Sequence, residues 1–236
     1  MSLLTMVQYF CQRTNVPVPS AVIGSTDQQV LQVLALLEEE GNDLAQRGAW
    51  QALTFEATHT TLALEDQGAI ATIASNGFRY IKNQTIWDRT ERLPVLGPTD
   101  SQDWQSLKAV ATTGPRFKFR IRGGKLLVNP VPPAGNTWAF EYVSKNWMTN
   151  AAGSTYKQYF TVDSDVALLP EELLIMGLRW RWQREKGMDY AELFRTYEAQ
   201  VKDVLGRDGG KPLLSMDNEP WKGPAPGILI PDGNWI

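Results

Sequence analysis

Residues 169–212 read LPEELLIMGLRWRWQREKGMDYAELFRTYEAQVKDVLGRDGGKP and predict a hairpin of two helices. Pro170 suits the first position of a helix, and Gly187 suits the left-handed position that ends one. Asp189 can cap the second helix. Apolar residues along that helix are spaced four, three, four and three apart, which predicts one buried seam of Tyr190, Phe194, Tyr197, Val201 and Val204.

The first helix of this hairpin carries two tryptophans on different sides. Trp180 and Trp182 lie two residues apart, so their side chains project about 200° apart at about 100° per residue. One docking surface cannot bury both rings. We therefore expect this helix to have two different neighbours, one of which is another subunit.

The composition limits the class of protein. The chain has 236 residues, enough for a substantial core, and its formal net charge of -3 gives no excess that favours nucleic acid or an anionic membrane. Cys11 is the only cysteine, which excludes an internal disulfide and fits a reducing cytosol. We see no signal-peptide pattern and no apolar run of the ~20 residues that cross a bilayer. A soluble protein without membrane insertion is expected.

Residues 1–52 predict two amphipathic helices. Ser2 can cap the first helix, and residues 25–28 form a capping-box pattern at the start of the second. The predicted apolar stripes are Leu3, Met6, Val7 and Phe10 in the first helix and Val30, Leu34, Leu37, Gly41 and Leu44 in the second. Consecutive carboxylates fan out around a helix, so we interpret the run Glu38, Glu39 and Glu40 as a solvated face.

Residues 53–164 predict a β-rich lobe. A threonine-rich strand is expected at 54–64, and another at 137–144. The second strand alternates, and we assign its aromatic residues Trp138, Phe140 and Tyr142 to the core rather than to a base-stacking platform.

The clearest β element is a hairpin over residues 116–128. Its first strand alternates strictly, and Gly123-Gly124 supports a two-residue turn that places Arg122 opposite Lys125. Phe117, Phe119 and Ile121 share the apolar face. The other face of the first strand is basic and consists of Arg116, Lys118, Arg120 and Arg122.

Like charges that face each other across a hairpin are unfavourable, so the basic face predicts an acidic neighbour. Glu141 is a candidate within the chain, DNA phosphate is a second, and the acidic rim of another subunit is a third. Exposed basic strands are common without nucleic-acid function, so a solvated or Glu141-paired face is the favoured interpretation.

No pattern predicts catalysis, a metal site or a cofactor. His59 is the only histidine and falls in a predicted strand, whereas Cys11 lies near the apolar stripe of the first helix. The spacing of Asp163 and Asp165 resembles the start of a calcium loop, but the glycine and distal glutamate are missing, so a turn is predicted instead. A hydrolase carboxylate pair can be far apart in sequence, and no pattern selects one.

Residues 213–236 differ from the rest of the chain because four prolines and three glycines oppose a helix or a central strand. The segment nevertheless carries large apolar residues that a solvated tail would lack, namely Trp221, Ile228, Leu229, Ile230, Trp235 and Ile236. We predict an extended arm that lies on another surface. The alternative, an arm folded back on its own domain, stays open.

These patterns together predict an α+β fold. Residues 1–52 and the hairpin at 165–212 form a helical body, residues 53–164 an inserted antiparallel lobe, and residues 213–236 the arm.

Four segments, in this order and spacing, resemble a known family. They are LAQRGAWQAL at 44–53, GFRYIKNQTIWDRTERLPVLGPTDSQDWQSLKA at 77–109, FRIRGGKLLVNPVPPAGNTWAFEYVSKNW at 119–147 and DSDVALLPEELLIMGLRWRWQREKGMDYAE at 163–192. Over about residues 1–212 the chain resembles the head-to-tail adaptor, or tail accessory, proteins of short-tailed bacteriophages. None of the segments carries a catalytic signature.

The resemblance implies a ring of copies, expected to be a dodecamer, that docks beneath the portal protein at the portal–tail junction of the virion. Such a ring would offer a platform to the tail nozzle and fibres and would line part of the exit channel for double-stranded DNA. It implies a structural protein without cofactor or catalytic turnover, and a C-terminal extension that reaches the portal.

Site residues follow from this expectation. Ring closure needs two different complementary surfaces on each subunit, for which Trp180, Trp182 and Arg184 are the candidates. The basic strand is a candidate for the face of the DNA channel. Two alternatives remain: a β-rich virion module that binds carbohydrate or protein through exposed sheet aromatics, and a virion-associated wall hydrolase.

Overall fold

The computed structural model describes residues 1–110 and 116–209. Six helices lie within these ranges, of which α5 and α6 form the predicted hairpin. They are α1 (Leu3–Thr14), α2 (Gln28–Gln46), α3 (Ile70–Ile73), α4 (Ser101–Ala109), α5 (Glu171–Glu185) and α6 (Ala191–Asp208), and a 3-10 turn (Gln51–Leu53) follows α2.

The strands form three antiparallel sheets. In chain order they are β1 (Thr54–Thr60), β2 (Asp66–Ala69), β3 (Phe78–Ile81), β4 (Trp87–Asp88), β5 (Leu93–Pro94), β6 (Lys118–Arg122), β7 (Lys125–Asn129), β8 (Thr137–Ser144), β9 (Met148–Thr149), β10 (Tyr156–Lys157) and β11 (Val166–Ala167). The largest sheet has the order β1-β8-β4-β5, with β3 also paired to β8, and the others are β2-β7-β6 and β10-β9-β11. Helices with antiparallel sheets confirm the α+β class.

The first two helices begin where short polar side chains accept backbone hydrogen bonds. Ser2 caps α1 as predicted, since its hydroxyl accepts from the amide of Thr5 at 3.3 Å. The cap of α2 is Asp27, two residues after the predicted Ser25, because the Asp27 carboxylate reaches the Gln29 amide at 2.8 Å.

The buried apolar residues form two clusters. One joins α1, α2, α5 and α6, and the other lies among the larger sheets. Trp147 and Phe160, from segments after β8, belong to the helical cluster, where their rings meet edge to face with centroids 5.3 Å apart. Residues of the predicted lobe therefore complete the helical core, and the boundary at residue 164 stays a prediction.

Strand β8 is the centre of the largest sheet and spans the predicted residues, 137–144. Trp138, Phe140 and Tyr142 are buried, which confirms their assignment to the core. The hairpin β6–β7 has the predicted register, with Arg122 opposite Lys125.

Helix α5 packs against α1, α2 and α6. Its contact with α2 is close because Gly177 has no side chain: a Cβ atom there would overlap the carboxyl group of Glu40. Gly41 of α2 in turn lies directly against the ring of Trp147, where a Cβ atom would also overlap. Among the described helices, none combines the length and apolar character needed to cross a bilayer.

Candidate assembly surfaces

Both tryptophans of α5 are buried within one chain. Trp180 is 6% exposed and meets Phe194 of α6 edge to face with ring centroids 5.0 Å apart, whereas Trp182 is 4% exposed and meets Phe10 of α1 at 5.7 Å. The two sides of α5 therefore find their neighbours in α6 and α1. Our inference that one ring needs another subunit was wrong, because it did not allow for α5 lying between two helices of its own chain.

Arg184, the third candidate for a subunit contact, lies near the end of α5. Its guanidinium lies 5.3 Å from the centre of the Trp180 ring, and it pairs with the adjacent Glu185 at 2.9 Å. The side chain is 40% exposed. Of the three candidates, Arg184 is the one that solvent reaches.

An open groove separates the exposed edges of α5 and α6. It encloses about 830 Å³, and Trp180 forms part of its lining together with Tyr190 and Phe194. Tyr190 and Phe194 were predicted to continue the buried seam, but they are 39% and 38% exposed. The seam is buried at Tyr197 and Val201. Tyr190 and Phe194 also lie against Trp180 of α5, but each ring leaves one side in solvent.

A buried charge cluster joins α2, α5 and α6. Glu40 is 0% exposed, and its carboxylate accepts hydrogen bonds from Arg181 Nε at 2.6 Å and from the hydroxyl of Tyr197. The same guanidinium also bonds Asp43 at 3.0 Å and pairs with Glu39. Each of the three helices contributes a charged group or a hydroxyl to the cluster, so its hydrogen bonds link all three helices.

Burial governs the protonation of this cluster. It raises the pKa of the Glu40 carboxyl, and the hydrogen bonds from Tyr197 and Arg181 act in the opposite direction. Burial and the nearby charge of Glu40 raise the pKa of the Tyr197 hydroxyl. Tyr197 therefore keeps its proton and remains a hydrogen-bond donor.

The interpretation of residues 38–40 as a solvated face was wrong for Glu40 and Glu38, whereas Glu39 is exposed as predicted. Glu40 is fully buried, and Glu38 accepts a hydrogen bond from the Phe160 amide at 3.0 Å. The sequence held a signal, because Glu40 lies three residues after Leu37 and four before Leu44, within the predicted apolar stripe. A carboxylate at such a position indicates a buried partner.

The basic face of β6 is partly covered. Arg120 donates to the Ser101 hydroxyl of α4 at 2.7 Å, and Lys108 of the same helix pairs with Glu65 at 2.8 Å. Arg116 and Arg122 are exposed.

The acidic neighbour of this hairpin is Asp66 of β2. Its carboxylate accepts from Lys125 at 2.5 Å, and this hydrogen bond lowers the pKa of Asp66. Glu141 was the wrong candidate, because it lies in another sheet and pairs with Lys82 at 3.2 Å.

The remaining titratable candidates have structural contacts. Asp163 accepts from the Ile23 amide at 2.7 Å, and Asp165 accepts from Lys157 at 2.8 Å and from the Thr161 amide at 2.9 Å. The backbone bond from the Asp165 amide to the Val162 carbonyl at 3.1 Å confirms the predicted turn. Across residues 1–110 and 116–209, no group of His, Cys, Asp and Glu side chains is arranged to hold a metal ion.

Neither Cys11 nor His59 has the surroundings of a catalytic residue in the part of the chain that the structure describes. Cys11 is buried, and that burial raises the pKa of its thiol, which opposes nucleophilic reactivity. His59 bonds the side-chain oxygen of Gln67 at 3.3 Å.

The predicted arm lies outside the described residues. This applies to every residue proposed to anchor it: Trp221, Ile228, Leu229, Ile230, Trp235 and Ile236.

Comparison with known proteins identifies the family. None of the curated proteins compared with the chain matches it. A family model described as SU10 adaptor protein matches residues 1–220, which include the helical hairpin, the three sheets and the buried charge cluster. The chain therefore belongs to the SU10 adaptor protein family and is a structural component of a bacteriophage virion.

Proposed function

We propose that this protein forms a ring, expected to be a dodecamer, that joins the portal to the tail nozzle and fibres at the portal–tail junction and lines part of the DNA exit channel. The family match over residues 1–220 carries this proposal. An adaptor needs a rigid platform rather than a reactive site, and the closely packed helices α2, α5 and α6 supply one. The protein acts without catalytic turnover.

The ring is tested by electron microscopy of the purified protein alone and mixed with its portal protein. We expect closed rings, at least in the presence of the portal, with one face on the portal and the other free for the tail. Particles that stay monomeric under both conditions would contradict the proposal. Ring order and the docking face come from the same images.

Subunit contacts in this ring use side chains that solvent reaches. Trp180 and Trp182 are buried in their own subunit, so of the three predicted residues we retain Arg184. Arg184→Ala should lower the fraction of rings at limiting protein concentration without unfolding the subunit, because its one ion pair is to the adjacent Glu185. Unchanged ring formation would exclude Arg184 from the interface.

The arm is proposed to anchor the ring to the portal or to a neighbouring adaptor. Its anchoring residues are Trp221, Ile228, Leu229, Ile230, Trp235 and Ile236. Deletion from residue 215 onward should weaken portal binding or the stability of assembled particles. Particles that join heads to tails with normal stability after this deletion would exclude the arm as a clamp.

The basic strand is proposed as the face that DNA passes, without sequence specificity. Lys118, Arg120 and Arg122 lie on β6 and Arg116 lies two residues before it; Arg116 and Arg122 are exposed. Phosphate contacts make binding salt-dependent: the logarithm of the binding constant falls with the logarithm of the salt concentration, with a slope of about 0.9 per contact. Replacing both exposed arginines by glutamate should therefore reduce the slope by about 2.

A control for this test is Lys145→Glu, which makes the same change of charge as one of the two arginine replacements, at an exposed position in the loop after β8. DNA binding by the assembled ring should be nearly insensitive to the control. If the double arginine variant and the control behave alike, the basic strand is only a solvated face.

The carbohydrate- or protein-binding alternative required exposed aromatics on the sheet. Trp138, Phe140 and Tyr142 of β8 are buried, so the described part of that strand does not provide this surface.

A further inference from the structure

The groove between α5 and α6 is an aromatic surface without a covering element among the described residues. Trp180, Tyr190 and Phe194 line it, and the latter two keep more than a third of their surface in water. Exposed aromatic clusters of this kind are characteristic of binding sites.

Trp180, which lines the groove, also carries an unused hydrogen-bond donor. The indole Nε1 of Trp180 is buried and has no partner in the part of the chain that the structure describes. Buried polar groups normally find a partner, and leaving one unpaired is unfavourable. A segment that enters the groove and shifts the side chains covering this atom would supply an acceptor.

Charge at the rim of the groove indicates the sign of the occupant. Arg195 and Lys202 line it, and both are exposed. Glu198, the acidic residue of the lining, pairs with Arg47 instead. The rim therefore favours a segment with excess negative charge.

The chain itself contains a segment with the matching chemistry. Residues 220–226 read PWKGPAP and include Lys222, but Asp217 and Glu219 lie just before them, so residues 217–226 have a net charge of -1. Proline-rich segments favour the polyproline II conformation, whose carbonyl groups are free to accept hydrogen bonds, and such segments dock in aromatic-lined grooves.

The length of the chain allows this segment to reach the groove. Ala199, in the lining, lies roughly ten residues before Gly209, or about 15 Å along the helix axis at ~1.5 Å per residue. About 16 residues separate Gly209 from Ala225, and they span up to roughly 50 Å when extended.

We propose that the groove between α5 and α6 binds the proline-rich segment 220–226 of the same chain. The docked segment would carry one or more of its carbonyl groups to the floor of the groove, and its acidic flank would lie near Arg195 and Lys202. It would fix the base of the arm, so that Trp221 lies on its own subunit and the anchoring residues within 228–236 remain available to the portal or a neighbouring adaptor. This inference does not depend on ring formation.

Disulfide crosslinking in the full-length protein tests the proposal. Ala199→Cys in the groove and Ala225→Cys in the segment form the test pair. Cys11 does not compete because it is fully buried. The matched control is Gln200→Cys with Ala225→Cys, since Gln200 is exposed at the same height of α6 but does not line the groove.

Under mild oxidation we expect the test pair to form a monomer-sized crosslinked product at least about tenfold faster than the control pair, because docking raises the local concentration above that of a free tether. Adding Pro224→Ala and Pro226→Ala to the arm should remove most of this advantage without affecting the folded body, as circular dichroism would verify.

Two outcomes would overturn the proposal. Equal rates for the test and control pairs would show that the segment is not held in the groove. Crosslinking that gives dimers, or that occurs between separately prepared A199C and A225C chains after mixing, would assign the groove to the arm of a neighbouring copy. Either result leaves the ring proposal standing, since microscopy tests it independently.

Discussion

Replacing Arg181 by methionine leaves the buried carboxylate of Glu40 without its cation. In the wild-type protein Arg181 Nε donates a hydrogen bond of 2.6 Å to the Glu40 carboxylate, and Glu40 is 0% exposed. Without the guanidinium, Glu40 must either stay ionised in an apolar environment or take up a proton. Removing one partner of a buried ion pair costs about 3–5 kcal/mol of the free energy of unfolding.

The proton-uptake route gives a second measure of this cost. Protonating a carboxyl group of ordinary pKa at pH 7 costs about 3.7 kcal/mol, because each pH unit above ~4.3 adds about 1.36 kcal/mol. At pH 5 the same step costs about 1 kcal/mol. The loss in the Arg181→Met variant should therefore be about 3–4 kcal/mol at pH 7 and about 1–2 kcal/mol at pH 5.

The sign of this pH dependence follows from the loss of Arg181, whose hydrogen bond and charge lower the pKa of Glu40 in the wild type, so the variant raises this folded-state pKa further than burial already does. A raised carboxyl pKa favours folding below the unfolded-state pKa, and this contribution is lost as pH rises through the folded-state value. The variant should lose stability relative to wild type between pH 5 and pH 7. Adding Glu40→Gln removes the charge and should recover most of the loss at pH 7.

Urea unfolding followed by circular dichroism measures these differences. The control is Arg184→Met, one turn further along α5, where the side chain is 40% exposed and pairs with the adjacent Glu185. We expect that control to cost less than about 1 kcal/mol. The reasoning is refuted if both arginine variants cost the same, or if the loss in Arg181→Met does not change between pH 5 and pH 7.

Two further predictions concern packing and turns. Gly177→Ala should destabilise by about 1–3 kcal/mol because its Cβ atom would overlap Glu40, whereas Gly206→Ala, where nothing lies within 4 Å, should stabilise by about 0.5–1 kcal/mol; thermal unfolding compares the two. Asp165→Asn should remove a stabilisation that wild type has above pH ~4 and loses as pH falls. Burial opposes ionisation of this carboxyl, but hydrogen bonds from Lys157 and two backbone amides lower its pKa. The free energies of unfolding of wild type and variant, measured at decreasing pH, should therefore converge at low pH.

Features with a local physical cause were predictable from the sequence. The register of β6–β7 follows from strict alternation and a two-glycine turn, and β8 was predicted at its observed bounds because its neighbours along the chain break strands. Periodicity identifies which face of an element is buried. It does not identify the partner.

Features that depend on distant partners were missed for that reason. Arg181 and Glu40 are 141 residues apart, and no local pattern connects them. Glu141 was chosen for the basic strand because it was the next acidic residue on a predicted strand. The topology brought Asp66 there instead, since β7 pairs with β2 and β6 but not with β8.

The error at Trp180 and Trp182 has a similar origin. Their opposite directions correctly indicated two neighbours, but α1 lies more than 160 residues earlier in the chain and α6 immediately afterwards, so one chain could supply both. Apolar side chains on opposite sides of a helix predict two neighbours. They do not show whether both neighbours belong to the same chain or one belongs to another subunit.

Tyr197 connects the buried charge cluster to the groove between α5 and α6. Tyr197 donates its hydroxyl to Glu40 on the inner side, while its ring lies 6.2 Å from that of Trp180, which lines the groove. Arg181 of α5 and Tyr197 of α6 therefore bond the same carboxylate of Glu40, and this shared partner holds α5 and α6, the two helices that form the groove, at a fixed separation. A binding surface whose walls are held by a buried charge cluster loses less conformational entropy when it is occupied. A buried ion pair adds little net stability to a fold. In this protein the charge cluster instead keeps the groove between α5 and α6 in one shape before a segment binds there.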